Sequence, residues 1–384
     1  MTFPLGLYAG VMTGTSMDGI DLSLIAVEKD QIRRLDFAQA PFPEPLRRVC
    51  VALHDPMLPQ ALRHSAEASL ALARAIADLV ANRAHAWRTL GKVHALGVHG
   101  QTVLHQPDKG ITIQLNAPAW IAEATGLDVV SDFRSRDLAA GGQGAPLVPL
   151  FHEAITRRDN AENSALINLG GIANITSIRR RDANGRGLAR PAVVGFDTGP
   201  ANMLLDLWAQ RVLGSQCDLD GALARQAAPV ASLVALMAAD PYFALPAPKS
   251  TGRDQFNSHW LEAMLAQHEA RHGTVSDAQV QASLVALTAQ TVAAGIPKDT
   301  DVLYLCGGGV KNPALRDALD RACKEVGCAA ALQTTEALGW PLQEVESAAF
   351  AWLAYRCVAG ESGNLPEVTG ARGPRILGSI TRAG

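Results

Sequence analysis

The run Gly14-Thr15-Ser16-Met17-Asp18-Gly19-Ile20-Asp21 sets two hydroxyls and two carboxylates among small residues. Backbone N–H groups and hydroxyls donate to phosphate oxygens, while carboxylates hold a hard cation or its waters, so the run suits a magnesium-bound phosphate. An ordinary polar turn would use the same residue types. Asp18 and Asp21 are the candidate metal ligands, and one of them could instead close the turn on its own backbone.

The element that must carry this run is a hairpin. Leu7-Tyr8-Ala9-Gly10-Val11-Met12 precedes it, and Ile20, Leu22, Leu24 and Ala26 alternate after it with the period of a strand. A third strand is expected over 32–38, helices after it with Leu72, Ile76, Leu79 and Val80 on one face, and a strand over 93–98 ending in His99-Gly100-Gln101-Thr102. Residues 111–115 alternate as a strand, and Asn116 is expected to cap a helix over 119–125 with Pro118 in its first turn. Residues 128–132 read as a strand, 133–144 as a polar loop and 147–157 as a helix.

The opening theme then returns. A strand over 165–169 leads through Gly170-Gly171 into a second over 172–178, and a third over 192–196 ends in Asp197-Thr198-Gly199-Pro200-Ala201-Asn202. The Arg- and Gly-rich stretch 179–190 reads as an exposed loop. Helical sequence dominates 203–295, broken by the Pro-rich loop 241–253, and a strand over 301–305 feeds Cys306-Gly307-Gly308-Gly309-Val310-Lys311-Asn312, with Pro313 opening a helix. A repeated hairpin, third strand and helices argue for two domains of one α/β design, with ligands at the carboxyl ends of strands. Neither G-x-x-x-x-G-K-[ST] nor a G-x-G-x-x-G after a strand occurs, which excludes the P-loop and leaves no dinucleotide fingerprint.

Composition agrees. The 384 residues carry 34 Lys+Arg against 37 Asp+Glu, 48% hydrophobic residues and 18% charged ones, enough for two cores and no argument for a nucleic-acid partner. No apolar run reaches membrane-spanning length, the first residues lack the build of a signal peptide, and six scattered cysteines form no CxxC pair. A reduced, cytoplasmic protein using oxygen ligands for any metal is the expectation, without a membrane partner and with a homodimer left open.

Three strand-terminal glycine loops resemble those of the actin, sugar kinase and Hsp70 ATPase superfamily. There, two hairpins flank the phosphates and a late glycine turn packs on adenosine; residues 14–21, 168–176 and 306–312 would fill those places. The chain further resembles the anhydro-N-acetylmuramic acid kinases. Beyond the first run, the likeness rests on His99-Gly100-Gln101-Thr102, Ser131-Asp132-Phe133-Arg134, Gly141-Gly142-Gln143-Gly144-Ala145-Pro146-Leu147 and Asn168-Leu169-Gly170-Gly171-Ile172-Ala173-Asn174. It continues through Gly195-Phe196-Asp197-Thr198-Gly199-Pro200, Lys249-Ser250-Thr251-Gly252-Arg253, Glu346-Ser347-Ala348-Ala349-Phe350-Ala351 and Asn364-Leu365-Pro366-Glu367-Val368-Thr369-Gly370-Ala371. The chain departs from the family at Ala201, usually glycine, and at Ser347, usually alanine; Ala201 would obstruct a backbone that needed positive φ.

The resemblance implies two RNase H-like (actin-like ATPase) lobes with a central interdomain cleft, residues 1–132 completed by 365–384 forming the first and 133–364 the second. It implies ATP with Mg2+, a small-molecule sugar substrate, and closure of the lobes over both. ATP would phosphorylate O6 of 1,6-anhydro-N-acetylmuramic acid while water opens the bridge at C1, in recycling of cell-wall sugar. Because ATP takes the place of the acid, one carboxylate base suffices where glycosidases need two carboxyl groups. Read locally, Asp197 favours the cap of a helix starting near Pro200; the resemblance makes it the base instead. Nucleotide contacts fall on residues 14–21, Asn168, Gly170, Gly171, Asn174, Gly307, Gly308, Gly309, Lys311 and Asn312. Gln101, Thr102, Arg134 and Glu346 are the candidate sugar contacts, with Arg134 or Arg136 on the lactyl carboxylate and Asp137 orienting either. His99 reads as structural and Lys249 as a solvated loop lysine or a phosphate contact. The competing readings are a kinase for another sugar without ring opening, and an actin- or Hsp70-like nucleotide switch.

Overall fold

The computed structural model describes residues 6–14, 17–28, 31–55, 57–157, 159, 161–182 and 184–384. Thr15 and Ser16, both expected at the phosphate, lie outside the described residues. Contacts divide the chain into Met1–Arg157 with Gly339–Gly384, and Arg158–Leu338.

The first unit is built on β1 (Gly6–Met12), β2 (Gly19–Glu28), β3 (Gln31–Pro41), β4 (Val93–Val98) and β7 (Val129–Ser131), with a side hairpin of β5 (Gln101–Gln106) and β6 (Ile111–Leu115). The sheet runs β3-β2-β1-β4-β7, closed at its edge by Ser379–Thr381. β1, β2 and β3 are antiparallel neighbours, whereas β4 and β7 run parallel to β1. Central strands are buried almost throughout, as strands covered on both faces must be.

One cover is the amphipathic helix Ala61–Arg88, whose Leu72, Ile76, Leu79 and Val80 join Leu22, Leu24 and Leu96 in the core. The other is the helix Val345–Ala359. It lies so close that a Cβ on Gly10 would sit 2.2 Å from Ser347 O and Ala351 N, and one on Gly97 2.2 Å from Phe350 O. Only glycine admits that approach. This packing assigns 339–364 to the first unit rather than the second. Residues 133–157 join it too, through Asp137, which accepts from Asn364 Nδ2 (2.6 Å) and Thr369 Oγ1 (2.7 Å).

The second unit repeats the order. β8 (Asn163–Leu169), β9 (Ile172–Arg181) and β10 (Gly187–Pro200) are antiparallel neighbours, and β11 (Val302–Cys306) and β12 (Ala331–Thr334) run parallel to β8, giving β10-β9-β8-β11-β12. Both sheets thus have the five-strand order of an RNase H-like lobe. The helix Asp277–Ala294, opened by a Ser276/Gln279 capping box, packs on β9 and β10. Three local expectations change. Within the largely exposed stretch 179–190, residues 179–181 belong to β9 and 187–190 to β10, and 133–144 contains the helix Ser135–Ala139. Asn116 does not cap Pro118–Thr125; its Nδ2 donates to Val98 O instead.

Candidate functional site

In the second unit, three loops at strand ends are locked to one another. The Gly170 and Gly171 carbonyls accept from the N–H groups of Ala201, Asn202 and Met203 at 3.0–3.1 Å, and Asn202 Nδ2 donates to Leu169 O at 3.0 Å. The glycine turn after β11 rests on the same place. Gly307 has φ +84°, and a Cβ there would lie 2.3 Å from Asn168 Oδ1; one on Gly309 would lie 2.9 Å from Leu169 O and Asn202 Oδ1. Gly308 faces outward, with nothing nearer than 3.9 Å to a Cβ built on it. Asn168 is buried and its Oδ1 has no hydrogen-bond partner among the described residues. Glycine loops of this kind present main-chain groups to a phosphate or a nucleoside where side chains would intervene.

Asn174 pairs with both Asn168 and Asp197 across the sheet and is half-buried. Lys311 is exposed. Asn312 differs from the expectation: its Oδ1 accepts from Ala314 N and Leu315 N, so the side chain caps the helix Pro313–Glu325.

Asp197, 8% exposed, stands at the end of β10. The helix beyond it, Asn202–Leu213, has Ala201 at its cap position and no side-chain cap, so Asp197 is not the cap. Ala201 has φ −128°, and its methyl meets no left-handed backbone. The Asp197 carboxylate instead takes the Thr251 N–H on Oδ2 (3.0 Å), and its carbonyl takes the Tyr242 hydroxyl (2.6 Å). Lys249, which sequence placed in solvent or on phosphate, is half-buried here. Its Nζ lies 4.7 Å from the Tyr242 ring centroid and 5.7 Å from that of Phe196. Burial pulls the Lys249 pKa below the usual lysine range and the nearby Asp197 charge opposes it; burial, with Asp197 adding, pushes Tyr242 above the phenol range. The aromatic residues spaced through 242–260 were the overlooked signal: Tyr242, Phe243, Phe256 and Trp260 pack together, edge-on except for the stacked Phe243–Phe256 pair, and fold this Pro-rich loop onto the strand.

The first unit gathers other groups. Between β1 and β2, Met17 is buried with φ +55° and its N–H donates to Gly14 O, while Thr13 Oγ1 donates to Gly100 O. Asp18 is exposed at the tip; Asp21 lies in β2 and accepts from Gln39 Nε2 at 2.7 Å. Among the described residues, no group of three or more His, Cys, Asp or Glu could hold a metal. Two carboxylates with oxygen donors alone fit a cation that keeps waters and phosphate oxygens as its other ligands, which is magnesium's habit.

Beyond β7, Arg134 is held at two atoms: Nε donates to Nε2 of His99, which follows β4, at 3.1 Å, and Nη1 to Gly144 O at 2.6 Å. Burial, then the Arg134 charge, drive the His99 pKa well below its usual value, so the ring is neutral. Accepting at Nε2 puts its proton on Nδ1, which donates to Gly100 O at 2.7 Å. Burial likewise lowers His105 to about 4. Gln101 is 2% exposed; its Oε1 has no partner among the described residues, while Thr102 Oγ1 accepts from Gln114 Nε2 at 3.3 Å. Asp137 does not orient an arginine: its other oxygen takes the Gly144 N–H (2.8 Å), so it binds the 141–144 loop to the C-terminal segment. Arg136 lines a separate shallow pocket with Asp132, Ser135 and Ile376. Glu346 is half-buried in the first turn of Val345–Ala359, whereas Glu344 just before that helix is fully buried and paired with Arg34.

The sequence profile of the anhydro-N-acetylmuramic acid kinases matches residues 6–383. The chain belongs to that family. An anhydro-N-acetylmuramic acid kinase of Burkholderia orbicola (strain AU 1054) is 45% identical over 98% of this chain and 96% of its own length. That of Paraburkholderia xenovorans (strain LB400) is 46% identical over 98% and 97%. A ROK family glucokinase from Streptomyces griseus, solved with glucose and AMPPNP, aligns over 91% of this chain and 99% of its own at 16% identity and a TM-score of 0.40, too distant to argue from. No single helix among the described residues is long and apolar enough to cross a membrane; the bent pair Leu219–Gln226 and Ala231–Ala238 passes only by length and composition.

Proposed function

We propose that this chain, a member of the anhydro-N-acetylmuramic acid kinase family, is an ATP-dependent kinase acting on 1,6-anhydro-N-acetylmuramic acid, and that it opens the anhydro bridge as it phosphorylates. The observation that carries this reading is Asp197: a buried carboxylate at a strand end, held by a backbone N–H and not spent as a helix cap. Water adds to C1 and gives its proton to Asp197. The C1–O6 bond breaks, and O6 takes the γ-phosphoryl group as ADP departs. The products are N-acetylmuramic acid 6-phosphate and ADP. General base assistance of this kind is worth roughly 10²–10⁴-fold.

The remaining groups position. The Gly170-Gly171 turn and Gly307-Gly308-Gly309 offer backbone surface to the nucleotide. Asp18 and Asp21 would hold magnesium, which neutralises charge on the phosphates when bound. Arg134, fixed by His99 and Gly144, suits the lactyl carboxylate, and the buried Gln101 Oε1 suits a sugar hydroxyl or amide N–H. Peptidoglycan-sugar recycling in the cytoplasm is the setting this chemistry fits.

Incubation with ATP, magnesium and the anhydro sugar tests the reading. Sugar-dependent ADP release with a phosphosugar one water heavier than the phosphorylated anhydro form supports it. A phosphosugar that keeps its bridge would mean a plain sugar kinase, and ATP hydrolysis indifferent to sugar would mean a nucleotide switch.

A further inference from the structure

We propose that Lys249 is a positioning residue for Asp197: its ammonium, penned between the Tyr242 and Phe196 rings, keeps the Asp197 carboxylate ionised and the 249–251 segment seated on the end of β10. This rests on the reading of Asp197 as the base.

The 249–251 segment and Tyr242 together grip Asp197 at three atoms. Asp197 N donates to Lys249 O (3.2 Å), Thr251 N donates to Asp197 Oδ2 (3.0 Å), and Tyr242 Oη donates to Asp197 O (2.6 Å). Residues 249 and 251 therefore bond the main chain and the side chain of one aspartate. Lys249 itself turns inward. Its Nζ donates to the Tyr242 and Phe243 carbonyls at 3.2 Å each and sits over two aromatic faces, a cage that replaces part of its hydration.

A half-buried ammonium is costly unless something repays its lost water. Two carbonyls and two ring faces do so in part, and the Asp197 charge adds to them. Coulomb energy is reciprocal, so the lysine favours the ionised carboxylate as much as the carboxylate favours the ammonium. Burial and Asp197 keep the Tyr242 hydroxyl protonated and hence a donor to Asp197 O. A base works only unprotonated, so Lys249 sets the pH below which water activation fails. Gly199 completes the fit: it has φ +147°, and a Cβ there would meet Phe243 Cε1 at 2.6 Å, so a side chain would push the cage off the strand.

The test is the pH profile of kcat/KM for the anhydro sugar in wild type, Lys249→Met and Lys249→Arg. Loss of the charge should move the acid limb up by about one pH unit, the low end of the effect of a nearby opposite charge, and Lys249→Arg should leave it within about 0.3. Lys249→Cys, assayed before and after alkylation with 2-bromoethylamine, removes and restores the ammonium in one folded sample, with wild type as the alkylation control. The limb should return toward its wild-type position on alkylation. An acid limb unmoved in Lys249→Met, or unmoved by alkylation of Lys249→Cys, overturns the proposal. Asp197→Asn separates the two readings. If that variant still adds water at C1, both fall; if it is inactive while the Lys249 limb stays put, only the role of Lys249 falls.

Discussion

The two units share a strand order and hold opposite charges at their strand ends. In the second, the anionic Asp197 is gripped by a backbone N–H, with a caged lysine beside it. In the first, the cationic Arg134 is gripped by a neutral imidazole and a carbonyl. None of the gripping groups is a strand residue: Thr251 lies in the loop after the helix Pro241–Ala244, His99 follows β4 and Gly144 follows the helix Ser135–Ala139. One architecture duplicated has therefore been given two chemistries by its loops, which is why fold alone would not have named the reaction.

The sharpest way to break the comparison is to remove one charge at a time. Asp197→Asn should lower phosphosugar formation by roughly 10²–10⁴-fold while ATP binding, followed by calorimetry, stays near wild type. Next in size is Gly307→Val, which forces a branched side chain into a φ of +84° and against Asn168. A loss of about 1–3 kcal/mol in stability is expected, with weaker ATP binding; an unchanged melting temperature and ATP affinity would show that the turn tolerates a side chain.

His99→Phe tests the other unit. Losing the acceptor behind Arg134 should raise KM for the anhydro sugar about 10-fold, the cost of one hydrogen bond to a charged group, with little change in kcat. An analogue without the lactyl carboxylate should not feel the substitution. Equal losses for both sugars would mean that His99 supports the fold rather than Arg134.

The smallest effect concerns neighbouring carboxylates of the first unit. Burial would raise Asp36, but hydrogen bonds from Arg83 and Trp87 prevail and its pKa is lowered; at Glu344 burial prevails over Arg34 and the pKa is raised. The signs differ accordingly. Asp36 contributes stability above its unfolded pKa, and that contribution is lost as pH falls through its folded pKa. Glu344 favours folding while protonated, and that contribution is lost as pH rises from its unfolded pKa through its raised folded one. Glu344→Gln should therefore gain on wild type in melting temperature as pH is raised from about 4 to 7. A difference that is flat across that range would show that Arg34 fully compensates the buried charge.

Much of this was legible in the sequence. Both hairpins announced themselves by alternation around glycine clusters, and Pro313 marked a helix start because proline suits the first turn. What escaped depended on partners far along the chain. Asn116 looked like a cap until Val98 O took its amide. The arginines of 179–181 looked like a loop because Asp299 and Glu162, their partners, were not beside them. Asp137 lay in a run that read as polar loop, yet it is fully buried by bonds to residues 364 and 369. Lys249 was the costliest miss, since its cage is assembled from a strand end and a four-residue helix that composition alone does not bring together.

The central claim is that Asp197 delivers water to the anomeric carbon while ATP takes the bridge oxygen. Its most direct test is a mass spectrum of the product made in ¹⁸O-water by wild type and by Asp197→Asn. The account predicts one heavy oxygen at C1 of the phosphosugar from wild type and almost no labelled product from the variant. A wild-type product without the label, or a variant that labels as fast as wild type, would contradict it.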